Sequence, residues 1–334
     1  MTSKREIEIV TSSVVKNSFF RYFFNRKPIE TKHVLLSRIY PQESITGSAI
    51  VGLQTSLGTT LWENLAKDLA EKNGFEVRNP KESLLKPNKI PKSAENLIGE
   101  WARRREESTT GLPLSEFAKL MKLVVAKEPK PKSFSKLGKG SGADLYFVKN
   151  GIKYVFDVKT VQLNAGSGSK YNRTLMEWIT FDLFQNGVKS KMLPALAIPY
   201  DPTALGEWWK LFQGRVAPLD HKDVHVGSEF WDFISGYKKS LMVITNTFDE
   251  LAKSNFGKHY GAYLTDYSNL AKVRHIEYHF ACIFVGRIPN AVSTKVKYCW
   301  QCLKCSEQYL LSMNKIFSLN HVCAKKTCVY KKSS

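Results

Sequence analysis

Leu53, Leu57, Leu61, Leu65 and Leu69 recur every four residues through a stretch that is otherwise largely polar or small. That spacing keeps one side of a helix apolar, so residues 44–73 are predicted to form one long amphipathic helix that stops at Gly74. Upstream, residues 5–40 mix apolar, aromatic and basic positions (SFFRYFFNRK) and are expected to be helical in part. Residues 78–95, rich in Lys, Pro, Asn and Ser, read as a solvated loop. A charged helical face (RRREE) follows Trp101, and KEPKPKSFSKLGKGSG reads as a basic loop. Two alternating runs, ADLYFVK and IKYVFDVKT, then flank Asn150-Gly151. Asn-Gly between such runs is the strongest short-range hairpin signal. A Gly/Ser-rich loop (NAGSGS), a helix from about Arg173 to Phe184 and an apolar strand, PALAIPY, come next. Residues 205–265 read as helix and loop, anchored by Trp208, Trp209, Phe230 and Trp231, and HIEYHFACIFVG reads as a further strand. There is no internal repeat. The expected class is α/β.

The hairpin carries the chemistry. A two-residue turn at Asn150-Gly151 sets Lys149 opposite Ile152, and the same register sets Asp144 directly opposite Asp157. Side chains alternate along a strand, so Asp144, Asp157 and Lys159 share a face. Two opposed carboxylates repel, and a hard divalent cation is their natural compensation. Mg2+ takes oxygen ligands and keeps waters for a phosphate substrate. Asp144 and Asp157 are the candidate ligands, with the Val158 carbonyl as a third. Lys159 would hold or deprotonate an attacking water and balance charge on the phosphorane-like transition state. The bland alternative is a surface hairpin whose acids are solvated, with Lys159 as their ion partner.

Composition supports the first reading. The 334 residues are 43% hydrophobic and 24% charged, enough for a sizeable core, but the net charge is +20. Such a surface favours a polyanion, nucleic acid above all, over an acidic membrane. Lys136, Lys139 and Arg103 to Arg105 are candidate phosphate contacts, or simply solvated surface. No apolar run follows the N-terminal charges, and the most apolar stretch, Phe280 to Val285, is far shorter than a membrane helix. A cytoplasmic protein is expected, with six cysteines that serve as metal ligands or buried thiols rather than disulfides.

From Arg287 onward nine basic residues face one acid, Glu307, and five of the six cysteines fall there. A boundary near 290 is therefore expected, with residues 1–290 as the main domain (core about 44–240) and 291–334 as a tail. Cys302-x2-Cys305 and Cys323-x4-Cys328 have zinc-ribbon spacing. A Zn2+ thiolate site would hold together a segment too short for its own apolar core. Cys299 and His321 are spare candidates. The tail would touch DNA phosphates or plug a dimer interface. His275, Glu277 and His279 share a strand face and read as a wet polar face, while His221 and His225 read as loop residues without a ligand role.

GADLYF…YVFDVKT resembles the PD-(D/E)xK nuclease core, with Gly142-Ala143 where Pro often stands. LQTSLGTTLWENLAKDLA (53–70), FDVKT (156–160), NRTLMEW (172–178), ALAIPYDP (195–202) and EFWDFISG (229–236) resemble segments of the TdeIII family of type II restriction endonucleases. The resemblance implies a central mixed sheet flanked by helices, Mg2+-dependent double-strand cleavage, and recognition of a short palindrome such as GGNCC. It implies Asp144, Asp157 and Lys159 as the catalytic set and Glu63 as a helical acid near the metal. Glu177 would touch metal or DNA, or cap a buried Arg173, which stands with it as a candidate DNA contact. Double-stranded DNA is the expected partner, a homodimer the expected assembly, and a cognate methyltransferase the expected companion without a stable complex. The rivals are another PD-(D/E)xK nuclease, such as a junction resolvase or repair enzyme, and a non-catalytic zinc-containing DNA-binding protein.

Overall fold

A computed structural model describes residues 2–25, 38–108, 112–138, 140–159, 167–201, 221–258 and 260, with strand segments at 296–297, 321–322 and 329–332. The described helices are α1 (Lys4–Asn25), α2 (Pro41–Leu57), α3 (Glu63–Lys72), α4 (Pro80–Ser83), α5 (Lys92–Glu107), α6 (Leu114–Lys127), α7 (Ser167–Asn186), α8 (Ser228–Ser235) and α9 (Ser240–Lys253). The strands are β1 (Glu76–Arg78), β2 (Leu85–Pro87), β3 (Phe134–Lys136), β4 (Leu145–Lys149), β5 (Ile152–Val158), β6 (Met192–Ile198), β7 (Val224–Val226), β8 (Val296–Lys297), β9 (His321–Val322) and β10 (Val329–Lys332). The chain divides into two units, Met1–Ile7 with Trp62–Ile244, and Glu8–Leu61 with Thr245–Ser334.

The first unit is built on a five-stranded sheet in the order β1-β4-β5-β6-β7. β1, β4 and β5 pair antiparallel, while β5, β6 and β7 pair parallel, so the sheet is mixed. Parallel neighbours need a crossover, and α7 supplies the one from β5 to β6. One face, through Tyr146 and Val155, packs on α5, α6 and α7 with Ile98, Trp101, Phe117, Met121, Leu175 and Trp178. The other face presents Phe147, Tyr154 and Phe156 to Phe75 and to Phe230 and Phe233 of α8. The expected α/β class and helix-flanked mixed sheet are what the chain forms.

In the second unit, Tyr22 of α1 donates its hydroxyl to the Ala49 carbonyl at 2.6 Å, and Phe23 stacks on Tyr260 at 4.8 Å. β8, β10 and β9 form a three-stranded sheet in that order. The zinc-candidate cysteines, Cys299, Cys302, Cys305, Cys323 and Cys328, lie outside the described residues, as do Lys139, Trp208, Trp209 and the segment with His275, Glu277 and His279.

Three expectations change. The single helix over 44–73 is interrupted by a five-residue π-helical segment, Gly58–Trp62. Gly58, Thr59 and Thr60 are poor helix formers, and both threonine hydroxyls bond back to the Ser56 carbonyl. A four-residue leucine period also overruns the ~3.6 residues of an α-turn. Only the later leucines are fully buried, Leu61, Leu65 and Leu69, while Leu53 and Leu57 are half-buried. Second, residues 78–95 are not a loop but hold α4, β2 and the start of α5. β2 pairs with β3, the middle of the supposed basic loop, with Leu85 opposite Lys136 and Pro87 opposite Phe134. That pairing spans some fifty residues and leaves no trace in local composition. Third, HKDVHV (221–226) is a 3-10 turn running into β7 rather than a loop.

Candidate active site

Asn150 (φ 52°) and Gly151 (φ 73°) form the turn, both in the left-handed region that a two-residue I′ hairpin requires. Leu145 stands opposite Phe156 and Lys149 opposite Ile152, as the expected register demands. The paired register ends at Leu145 opposite Phe156, one step short of the expected Asp144–Asp157 pair. The Asp144 amide donates to the Phe156 carbonyl at 2.9 Å, and Asp144 Oδ2 accepts the Val158 amide at 2.8 Å. The Asp144 carboxylate therefore spans the point on β5 occupied by Asp157. Within a strand a residue's N–H and C=O point the same way, so the Val158 carbonyl is aimed toward Asp144 as well.

Asp157 is buried, with 8% of its surface exposed, at the C-terminal end of a strand hydrogen-bonded on both sides. Lys159 Nζ lies 2.5 Å from Asp157 Oδ1, and the Tyr171 ring of α7 lies 5.5 Å from the same ammonium. Burial pushes the Asp157 carboxyl up to about 7; Asp144 adds to the rise and Lys159 opposes it. Burial works against the Lys159 ammonium too, but the Asp157 carboxylate, helped by Tyr171 and Asp144, outweighs it and raises the pKa. Lys159 is thus held as a cation.

Glu63 opens α3 directly after the π-helical segment and pairs with Lys67 at 3.4 Å. Its carboxyl is raised by burial and by the charge of Asp144, against the pull of Lys67 and Lys159. Glu63 therefore feels Asp144 and Lys159 electrostatically. Among the described residues no three His, Cys, Asp or Glu side chains gather closely enough to hold a metal between them. A two-carboxylate donor set remains, all hard oxygen, and Mg2+ is commonly held by one or two carboxylates with waters and phosphate completing its shell. The residues present fit that ion and offer no soft ligand.

The other candidates separate. Arg173 pairs with Glu177 at 2.9 Å on the outer side of α7, and Arg173 is exposed, so Glu177 does not cap a buried arginine. Lys136 is exposed on β3. Of the arginine triplet, Arg103 pairs with Glu107 and Arg104 with Glu100 on the surface. Arg105 is fully buried against Asp223, which removes it as a phosphate contact. His225 sits on β7 with its Nδ1 3.7 Å from Glu229. Sequence reasoning did not reach Tyr171, since nothing in its neighbourhood marks it. It also missed the polar network of Lys153, Asp182, Ser190 and Asn186, although Lys153 and Asp157 alternate on the same strand.

A carboxylate pair and a lysine on adjoining strands of a helix-flanked mixed sheet define a class, that of a chain built like a restriction endonuclease. The comparison with known families makes it particular. The model of the HinfI type II restriction endonucleases matches residues 3–252, and the chain belongs to that family. The matching family is thus that of HinfI, and the finer resemblance, to TdeIII, finds no support in it. The type II restriction enzyme MjaII of Methanocaldococcus jannaschii is 24% identical over 221 residues, covering 61% of this chain and 54% of that protein. The chain spans about half the length of that curated relative. No solved structure matches. No helix among the described residues is long and apolar enough to cross a membrane.

Proposed function

We propose that the protein is a Mg2+-dependent, site-specific deoxyribonuclease that cuts both strands of DNA at a short palindrome. The observation that carries the reading is the hairpin itself, with Asp144 spanning buried Asp157 and Lys159 2.5 Å from that acid. Family membership and the net charge of +20 support DNA as the substrate.

Asp144, Asp157 and the Val158 carbonyl would hold the ion, with Glu63 close enough to bias its field. When bound, Mg2+ supplies a Lewis acid for the phosphate and lowers the pKa of a bound water. The chain's own residues do the rest. Lys159, kept protonated by Asp157, donates to the attacking water or to a non-bridging phosphate oxygen and offsets the charge that grows there. Held as a cation, it serves as a donor rather than as a base. The Val158 amide fixes the Asp144 carboxylate, and the sheet fixes Val158, so the acids are aimed by backbone rather than by flexible side chains. In-line attack leaves 5′-phosphate ends. A palindromic site calls for two active sites related by a two-fold axis, hence a homodimer in which each subunit cuts one strand. The TdeIII-like segments at 53–70, 156–160, 172–178, 195–202 and 229–236 would place that site among those of the GGNCC kind.

Digestion of a mapped plasmid with Mg2+, followed by sequencing of the ends, tests this. Discrete fragments support restriction; structure-selective nicking would favour a resolvase or repair nuclease. Binding without any cleavage would favour a non-catalytic DNA-binding protein.

A further inference from the structure

The pairing of β2 with β3 brings together two basic segments that lie far apart in the sequence. Residues 80–92 and 128–136 hold seven lysines against two glutamates. Lys86, Lys89, Lys92, Lys130, Lys132 and Lys136 are all exposed, and none has an acidic partner among the described residues. The platform beneath them is fixed. Leu84 and Pro87 are buried, and Phe134 packs on the core of α5, α6 and α7. Asn88 Nδ2 donates to Ser133 Oγ at 2.8 Å, and Ser93 ties to Glu128 at 2.5 Å. Six unneutralised ammonium groups on a rigid ribbon repel one another, and a polyanion relieves that repulsion.

Helix α7 sets the distance to the cutting cluster. Its Tyr171 lies beside Lys159, and its Gln185 side chain accepts the Leu85 amide of β2 at 3.1 Å. At ~1.5 Å per residue those two points are about 21 Å apart. At about 3.4 Å per base pair, that is roughly six base pairs of duplex.

We propose that the β2–β3 ribbon is a phosphate clamp for duplex DNA, gripping the backbone roughly six base pairs from the scissile phosphate. This rests on the reading of the protein as a DNA nuclease. It adds a contact surface outside the cutting cluster, one that reads no bases and strengthens binding to any sequence.

The test is equilibrium binding of a labelled duplex of about 30 base pairs in EDTA, measured by anisotropy over a salt series. The clamp variant is K86A/K89A/K136A, and K119A/K122A/K127A on α6 is matched to it in charge. Each lost phosphate contact lowers the slope of log affinity against log salt by about 0.9, so the clamp variant should lose about 2 to 3 in slope. The α6 variant should lose clearly less. Once the cut site is mapped, trimming the flank below roughly six base pairs should weaken wild-type binding and leave the clamp variant nearly unchanged. Equal slope losses in the two variants, or no loss in the clamp variant, overturn the clamp while leaving the nuclease reading intact. A wild-type protein that neither binds nor cuts duplex DNA overturns both. Unchanged thermal melts confirm that the variants fold.

Discussion

Replacing Asp157 by Asn should stabilise the metal-free protein while destroying its proposed activity. The folded state holds the Asp157 carboxyl at about 7 against an ordinary 3.8. A group whose folded pKa is the higher one favours the folded state at low pH. The unfolded chain ionises first, so stability falls as pH rises from 3.8 toward about 7 and levels off above it. At about 1.4 kcal/mol per unit, the full rise is worth about 4 kcal/mol near pH 8, and less than half of that is expressed near pH 5. The side chain is only 12% exposed, so solvent screens little of it. Asn keeps the shape and removes the charge. It also costs Lys159 its partner, but that ammonium is 29% exposed and can turn to water. The expected result is an Asn variant more stable than its parent by about 2–4 kcal/mol near pH 8, with the gap narrowing by roughly half near pH 5. Urea unfolding of both proteins in EDTA at the two pH values measures it. A variant less stable than its parent near pH 8, or two parallel pH curves, would refute the reasoning. Wild-type protein with excess Mg2+ should recover stability that the variant does not, because only the parent keeps both carboxylates.

Lys159→Ala should lower single-turnover cleavage by about 10²–10³, the cost of losing one donor aimed at transition-state charge, with DNA affinity nearly intact. Lys153→Met should do the reverse, costing about 3–5 kcal/mol in urea unfolding by stranding buried Asp182, yet sparing the cleavage rate per folded molecule. Arg105→Leu leaves Asp223 buried without its guanidinium and should cost a similar ~3–5 kcal/mol, part of which R105L/D223L recovers in the same assay. Elemental analysis of the purified chain should find about one zinc per molecule, lost in C302S/C305S, if the tail's cysteine spacing means what it does in zinc ribbons.

The parts of this chain that could be read from sequence were those governed by local rules. Asn150-Gly151 dictates a turn, and the turn dictates a register that runs to Leu145 opposite Phe156 without knowledge of the rest of the fold; beyond it, bonds of Asp144 to Phe156 and Val158 bring that acid to Asp157. The leucine stripe gave the buried side of α3 for the same reason, though the π-helical turn before it went unseen. Contacts made at long range were not legible. The β2–β3 ribbon lay hidden in two segments whose Lys, Pro and Asn content spells loop. Arg105 sits in a run of charges that reads as solvated surface, and only the placement of Asp223, 118 residues on, takes it inside. Tyr171 reaches Lys159 because α7 runs back over β5, a fact of topology rather than of pattern.

That return path explains why two lysines on one strand take different roles. Lys153 and Lys159 both sit on β5 or at its end, and α7 passes over both. At one end Lys153 meets Asp182, which also accepts from Asn186 and Ser190, so the buried carboxylate is satisfied several times over and has nothing left to offer. At the other end Lys159 shares Asp157 with the charge of Asp144 close by, and a single ammonium cannot offset the burial of that acid, whose carboxyl stays far above its ordinary range. The first arrangement is complete without a ligand. The second stays short of positive charge, and a divalent cation beside Asp144 and Asp157 would supply it. The difference lies in the neighbours of each lysine rather than in the lysine itself, so a D-x-K spacing becomes informative only when the acid is buried and a second carboxylate stands across the hairpin from it.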